Sequence, residues 1–449
     1  MRLLSFPSAF FVMNETCIEI VEKLQKLGCD NVIATASSSL RRQIKFANNK
    51  IARTSAEESS SIHLFASIGK KTVETLVDAK EKNLDKRLAE LVALAKKLPD
   101  NPEFQGIASG KYTYPKINCF DAKISQSGEE CVEILEQALE TCKNVKAGGM
   151  FETNESSEFL YSSQGPSATS KGTGAYFSIR CLAEQNASGH KVIADTHLAN
   201  INPVQLAVEA SQLAIKAKNP VQGTEGTYNL VLDAFPFACL LDPFSHSASA
   251  FSVESGLSPL GGKINKKIAS DAFTLYDDPT QADAFHATPF DSEGLPTKRT
   301  AIVENGILKT YLHNTSTAKK YGVASTGHAG LSSPHPWNPA VQKGKASLDE
   351  LINEVKNGIY VTNVWYTRFQ NYSTGDFSTI PRDAIMQIEN GELTKPLRGI
   401  RISDNLLNLL SNISMLSSNQ CQIYGWEVET PIFSCDALIE KVKITTPQG

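Results

Sequence analysis

Two short segments with the same pattern constrain the C-terminal half of this 449-residue chain more than any other feature. Residues 302–309, Ile-Val-Glu-Asn-Gly-Ile-Leu-Lys, and residues 388–395, Ile-Glu-Asn-Gly-Glu-Leu-Thr-Lys, both place Asn-Gly between alternating apolar residues. Because Asn and Gly tolerate the positive φ angles of a type I′ turn, each segment is predicted to form a tight β-hairpin. Two such hairpins indicate a curled antiparallel sheet or a partial barrel.

The N-terminal half combines helical and strand patterns. Apolar residues recur at helical spacing from Cys17 to Leu27, and Gly28 supplies a left-handed stop. Alternating residues 32–61 around Asn48-Asn49 predict a hairpin packed on that helix. Further helices are predicted at residues 73–98, after a capping box at 127–130 and after Asn202-Pro203. Short strands are predicted over residues 146–197, with turns at 154–157 and 186–189.

These patterns predict an α+β protein of two domains, in agreement with a length that exceeds one core. The polar stretch 219–226 is the predicted boundary. Residues 1–220 would form an N-terminal α/β-type domain of sheet and helices. Residues 221–449 would form the C-terminal β-rich domain, interrupted by helices after a capping box at 347–350 and after Ser403-Asp404.

Charge and composition narrow the classes of partner. A formal net charge of -4 and a pI near 6.1 give no general attraction to phosphate backbones, so nucleic acid is not expected as a partner. No stretch approaches the ~20 apolar residues of a membrane span, and residues 3–13, broken by Pro7, are predicted to be an N-terminal strand or arm. Nine scattered cysteines without a C-x-x-C pair indicate a reducing compartment, the cytoplasm.

Several spaced motifs occur together in the C-terminal half. They are Gly-Gly-Lys at 261–263, Leu-Tyr-Asp-Asp at 275–278, Thr-Pro-Phe-Asp-Ser-Glu-Gly at 288–294, Glu-Asn-Gly-Ile-Leu-Lys at 304–309 and Ser-Thr-Gly-His-Ala-Gly at 325–330. In this order they resemble the TldD/PmbA family, a peptidase family once described as modulators of DNA gyrase. The motifs at 288–294 and 325–330 are closer to the PmbA (TldE) branch.

The resemblance implies a two-domain α+β fold and, for the TldD branch, a zinc peptidase site. That site combines a His-Glu-x-x-x-His helix with a distant Cys, and its open fourth position holds a water that becomes the nucleophile. In this chain the position of the His-Glu-x-x-x-His motif falls on residues 242–247, here called the window. Asp242 replaces the first His, Pro243 replaces the Glu and Ser247 replaces the second His. The chain is therefore expected to bind no metal, and zinc is expected in a TldD-type partner.

Two interpretations of the window remain. Asp242 and His246 are four residues apart, so on one helix they would face the same way, and with Cys421 they could form an Asp/His/Cys metal site. Alternatively, Asp242 is a helix N-cap and Pro243 the first helical residue, which explains both without a metal. The second interpretation is preferred because the general base of the metal site is absent.

Three more residues are candidates for a substrate cleft. His328 lies in a glycine-bracketed loop where backbone can approach a ligand closely, although a structural hydrogen bond would explain it equally. Asp291 and Glu293 could serve acid-base chemistry, but turn chemistry with solvated acids is the preferred interpretation. No nucleophile elbow, P-loop or dinucleotide fingerprint is found.

Three functions follow from the resemblance and the window. The first is a non-catalytic TldE-like subunit that binds extended peptide beside a TldD-like subunit, as part of a homodimer or a heterodimer. The second is a stand-alone metal-dependent hydrolase that uses Asp242, His246 and Cys421. The third is a regulatory binding protein without enzymatic activity.

Overall fold

The computed structural model describes residues 6–78, 81, 83–330 and 332–446, and it divides their strands between two sheets. The first part of the chain contains, in order, α1 (Phe6–Lys26), β1 (Asn31–Ala47), β2 (Lys50–Ile68), β3 (Lys71–Asp78), α2 (Leu84–Lys97), α3 (Gly128–Thr141), β4 (Lys146–Ser162), β5 (Ser167–Glu184), β6 (Ala187–Asp195) and α4 (Pro203–Lys216). The six strands form an antiparallel sheet in the order β3-β2-β1-β4-β5-β6.

Helices cover this first sheet, and two apolar clusters hold them there. One cluster joins α1 and α2 to β1, β2 and β3, and the other joins α3 and α4 to β4 and β5. The predicted first hairpin is confirmed, because Asn48 and Asn49 both adopt positive φ angles between β1 and β2. Gly28, with φ 97°, follows α1 as expected.

Several local predictions in this half are wrong. Residues 73–78 belong to β3 rather than to a helix, because they complete the edge of the sheet beside β2. Residues 154–157 lie within β4 rather than in a turn. Ser127 does not cap α3 through its side chain, since its hydroxyl donates to the Ile124 carbonyl. Residues 6–13 are helical, not a strand or arm, and residues 3–5 of that predicted arm lie outside the described residues.

The second part of the chain builds a larger mixed sheet. Its elements are β7 (Val221–Gln222), β8 (Gly226–Leu232), α5 (Ala234–Ser247), α6 (Ala250–Glu254), β9 (Leu275–Asp277), β10 (Thr300–Glu304), β11 (Ile307–Leu308), α7 (Thr315–Tyr321), β12 (Pro339–Val341), α8 (Leu348–Asn353), β13 (Asn357–Asn371), β14 (Asp376–Glu389), β15 (Glu392–Arg398), β16 (Arg401–Asn405), α9 (Leu406–Ser411), β17 (Ile413–Gly425) and β18 (Val428–Thr445).

This twelve-stranded sheet is curled and does not close into a barrel, so the predicted α+β class and curled sheet are confirmed. The sheet is mixed rather than antiparallel throughout, because β12-β18, β13-β8 and β15-β7 pair in parallel. Its main path runs β11-β10-β9-β12-β18-β8-β13-β14-β15-β7, with β16 and β17 paired to the side. Both Asn-Gly hairpins are present, with positive φ angles at Asn305-Gly306 and Asn390-Gly391. The capping box at Ser347 is confirmed, whereas α9 is capped by Asn405 rather than by Ser403 or Asp404.

Helix α5 lies at the centre of the largest apolar cluster. It packs on β13 and β18, and all but three of its residues are buried. The strands of the first sheet end at Asp195 and those of the second begin at Val221, while the boundary at residue 220 stays a prediction. Within the described residues, no helix is long and apolar enough to cross a membrane.

Candidate functional site

Helix α5 carries the window over residues 242–247, but it begins eight residues before that window. Asp233 is the N-cap, and its Oδ1 accepts a hydrogen bond of 2.7 Å from the Ala234 amide. Asp242 and Pro243 lie inside the helix, so the prediction that they start it is wrong. Burial of the surrounding apolar side chains keeps the helix continuous through Pro243, against the usual tendency of proline to end a helix.

Asp242 and His246 do face the same side of α5, as their spacing predicts. Their Oδ1 and Nε2 atoms are 3.6 Å apart. The start of β18 holds both side chains, because the Glu429 amide donates to Asp242 Oδ2 at 3.0 Å and Thr430 Oγ1 lies 2.8 Å from His246 Nε2. Asp242 Oδ1 is buried and has no hydrogen-bond partner in the described structure, and burial raises the pKa of this carboxyl group.

Cys421, on β17, lies near the other end of α5, where the helix begins. The charged groups that act on its thiol are Asp233, Asp436 and Lys191, and burial together with the two carboxylates raises its pKa to about 12. Asp233 precedes Asp242 by nine residues, roughly 13 Å along a helix axis. The alternative Asp/His/Cys metal site is therefore not assembled in this structure.

The window does not supply the ligands of a zinc site. Structural and catalytic zinc sites require at least three protein donors around one point. Pro243 offers no donor, and the Ser247 hydroxyl donates to the Phe244 carbonyl at 2.6 Å. Among the described residues, one group of three His, Cys, Asp or Glu ligand atoms lies within 4.8 Å, and its members, Asp195, His197 and Asp283, all lie outside the window.

A cleft of about 580 Å³ lies between the first sheet and the loops of the second, beside this window. Hydroxyl groups dominate its walls, and its charged residues are Glu158, Lys171, Asp291 and Glu429. The cleft reaches the end of the window through Glu429 and Thr430, the residues that bind Asp242 and His246. Burial raises the pKa of Glu158 in the cleft wall to about 7. The hydroxyl side chains that line the cleft are Ser37, Ser38, Ser39, Ser59, Ser61, Ser156, Ser157, Ser170, Thr173, Thr196, Thr288, Ser292 and Thr430.

Asp291 organises the loop at residues 288–294, as turn chemistry predicts. Its Oδ1 accepts hydrogen bonds from the Glu293 and Leu295 amides, and its Oδ2 accepts one of 3.0 Å from the Ala329 amide. The prediction that the two acids are solvated is wrong, since Asp291 is 1% and Glu293 is 4% exposed. Burial raises the pKa of Asp291 to about 6 and, with the nearby Asp291 carboxylate, that of Glu293 to about 8.

His328 is a structural residue rather than a cleft residue. It is completely buried, and its Nε2 lies 3.0 Å from Asp277 Oδ2. Its Nδ1 is 2.9 Å from the Thr326 carbonyl oxygen. Asp277 also accepts hydrogen bonds from the Trp337 and Asn338 amides, so this buried pair fastens neighbouring loops.

A buried charged cluster near the start of α5 was not found from the sequence. Lys191 Nζ lies 2.9 Å from Asp233 Oδ2, and the Tyr360 hydroxyl donates to the same oxygen. Burial and Asp233 raise the pKa of Asp436 to about 7. These residues come from β6, the end of β8, β13 and β18, and the local signal was an acidic residue within the largely apolar segment 432–439.

The fold defines a class: two-sheet α+β proteins in which a largely buried helix packs on the second sheet. Residues 225–446 match the family model described as the PmbA/TldA metallopeptidase C-terminal domain. The chain belongs to the PmbA/TldD family.

Relatives of known sequence include a metalloprotease PmbA homologue of Haemophilus influenzae, 33% identical over 209 residues that cover 46% of this chain and 43% of that protein. A metalloprotease of Archaeoglobus fulgidus is 32% identical over 214 residues, which cover 46% of this chain and 50% of that protein. The matched stretch spans about half the length of these curated relatives.

Solved structures show the same fold over almost the whole chain. TldE from Thermococcus kodakarensis superposes with a TM-score of 0.86 and 22% identity, covering 95% of this chain and 99% of that one. A proposed modulator of a DNA gyrase from Thermotoga maritima gives the same TM-score and identity and covers 96% and 99%.

Proposed function

We propose that this chain is the TldE-type, non-catalytic subunit of a peptidase complex and that a TldD-type subunit contributes the zinc site. The observation that carries the proposal is the window on α5, where Asp242, Pro243 and Ser247 occupy the positions of the family's two zinc-binding imidazoles and its general base. Without those groups the chain has no means in this window to lower the pKa of a water and remove its proton.

The cleft beside the window is the proposed site for the peptide. Its many hydroxyl groups can donate to and accept from the amides of an extended chain, whatever the side chains of that chain are. This suits a subunit that receives unfolded or extended peptides. The partner and the oligomer, a homodimer or a heterodimer, are part of the proposal.

The two other functions are less well supported. A stand-alone hydrolase would require a third metal ligand beside Asp242 and His246, and the environment of Cys421 lies at the other end of α5. A role in direct DNA binding receives no support from a formal net charge of -4.

The test is to co-express the chain with a TldD-type subunit from the same organism and to measure co-purification and cleavage of an unstructured peptide. We expect no cleavage by either the isolated chain or a chelator-treated complex, and cleavage by the untreated complex. Robust proteolysis by the isolated chain that a chelator abolishes would overturn the proposal.

A pair of glycine variants separates the role of the cleft from general damage. Gly172 lines the cleft, and a Cβ at this residue would meet its neighbours at ordinary contact distances of 3.6 Å or more. Gly172→Leu should therefore fold and obstruct the cleft, which lowers cleavage by the complex. Gly261→Leu, at an exposed position with open space around a Cβ, is the matched control. Equal cleavage by both variants would exclude the cleft as the peptide site.

A further inference from the structure

A second cavity, of about 520 Å³, lies on the other side of the loop at residues 288–294. Asp291 and Ser292 of this loop line the cleft, whereas Glu293 lines the second cavity. The remaining walls come from β1, β2, the edge strand β3, the chain at residues 101–107, α6, α7, Ser332 and Pro334. The volume lies within the usual range of small-molecule sites.

The cavity has an aromatic wall that reaches its rim. Phe65 and Phe104 pack together with ring centroids 5.7 Å apart, and Ile33 and Ile107 extend the apolar surface. Phe251, on α6, also lines the cavity but is 50% exposed. A large exposed aromatic residue beside a cavity offers contact area to an apolar ligand.

Carboxylates outnumber cations in the same cavity. Glu74, Glu103, Glu254 and Glu293 line it, and Lys320 is the lysine that faces them. Lys320 pairs with Glu103 and lies 3.3 Å from Glu254 Oε2. One ammonium group is thus shared by two of the four carboxyl groups, those of Glu103 and Glu254.

Two of these acids retain the capacity to bind a cation. Glu293 Oε2 accepts hydrogen bonds from the Ala108 amide, at 3.1 Å, and from the Thr315 hydroxyl. This deeply buried carboxyl group forms no ion pair with any residue that the structure describes, and burial raises its pKa to about 8, so in the free chain it holds a proton near neutral pH. Glu254 Oε1 is buried and has no hydrogen-bond partner in the same set of residues. An ammonium group at Glu293 would favour the ionised form of that carboxyl group and displace its proton, and at Glu254 it would bind the oxygen that Lys320 does not contact.

We propose that this cavity binds a primary ammonium group carried on an apolar or aromatic body, with Glu293 and Glu254 accepting from the ammonium and Phe251 and Phe104 contacting the body. Two sources carry this chemistry, a free aromatic amine and the N-terminal residue of a peptide. The inference goes beyond the proposed peptide cleft and does not depend on it, because binding is measured on the isolated chain.

The test is isothermal titration of the full chain with three probes: phenethylamine, a tripeptide amide with an N-terminal phenylalanine, and the N-acetylated form of that peptide. We expect the free amine groups to bind and acetylation to weaken binding by at least about tenfold, because charge-assisted hydrogen bonds to buried carboxylates are lost. If phenethylamine binds and the tripeptide amide does not, the ligand of this cavity is a free amine. If both bind, the cavity also accepts the N-terminal residue of a peptide. No binding of either amine at millimolar concentration, or equal binding of the acetylated peptide, would overturn the proposal.

Variants locate the site within the chain. Glu293→Gln and Glu254→Gln preserve shape and remove a carboxylate, and each should weaken amine binding about tenfold. Phe251→Ala removes an aromatic ring that is half exposed and should weaken binding several-fold without unfolding the chain. Glu392→Gln, which removes an exposed carboxylate on β15, is the matched control. If the Glu293→Gln, Glu254→Gln double variant folds and binds amines as well as the control does, the assignment is refuted.

Discussion

The substitution Glu293→Gln should change how the stability of the protein depends on pH. The carboxyl group has a pKa of about 8 in the folded chain, compared with 4.5 for an ordinary glutamate, chiefly because it is buried. Between these two values the folded state keeps a proton that the unfolded state loses. For an acid with a raised pKa, the contribution to stability is therefore largest below the unfolded value and is lost as the pH rises toward the folded value.

The size of the effect follows from the two pKa values. Each pH unit between them changes the free energy of unfolding by up to about 1.4 kcal/mol per proton. Across pH 5 to 8, the wild type should lose on the order of 3 kcal/mol that the glutamine variant, which cannot ionise, does not lose. The variant should thus gain stability relative to the wild type as the pH rises.

Urea unfolding at pH 5, 6, 7, 8 and 9, followed for the wild type and the variant, measures this difference directly. Comparing the two proteins cancels the contributions to stability of other carboxyl groups whose pKa is raised, such as Glu158 and Asp436. Glu392→Gln again serves as the control for the loss of one exposed carboxylate. Parallel pH profiles for the wild type and Glu293→Gln would refute the argument that burial holds a proton on this group.

Three further predictions concern the buried charges, the contact between the sheets and the metal. Lys191→Met should destabilise the fold by about 3–5 kcal/mol in denaturant unfolding, because it leaves the Asp233 carboxylate, 2.9 Å from the lost ammonium, without its cation. Gly174→Ala should lower stability by about 1–3 kcal/mol, since its Cβ would lie 2.3 Å from the Phe285 ring, whereas Gly261→Ala, which meets nothing, should stay within about 0.5 kcal/mol. Elemental analysis of the chain purified in metal-replete buffer should give less than about a tenth of an equivalent of zinc.

The parts of the fold that followed from the sequence depend on local rules. The Asn-Gly hairpins, the Asn48-Asn49 turn and the Asn202 cap were all found because the residues at the turn or cap determine the backbone there. Residues 73–78 were missed because pairing with β2 decides their conformation, and that pairing is not visible in a short window of sequence.

The site shows the same division between local and long-range effects. The spacing of Asp242 and His246 predicted their shared face, but the sequence placed the start of the helix at Asp242 because a local cap rule cannot detect burial of the whole segment. The burial of Glu293 was equally hidden. One of the groups that bind its carboxylate, the Ala108 amide, lies 185 residues away in the chain.

The position of α5 limits how this family member can vary. Since the helix is surrounded by strands and apolar side chains, a deletion or a marked bend would open the largest core of the protein. Only the short strip that carries Asp242 and His246 opposite β18 can exchange polar groups without that loss. The polar residues of the window can therefore change while the helix and its packing are kept, so the core constrains this helix even where its polar groups differ.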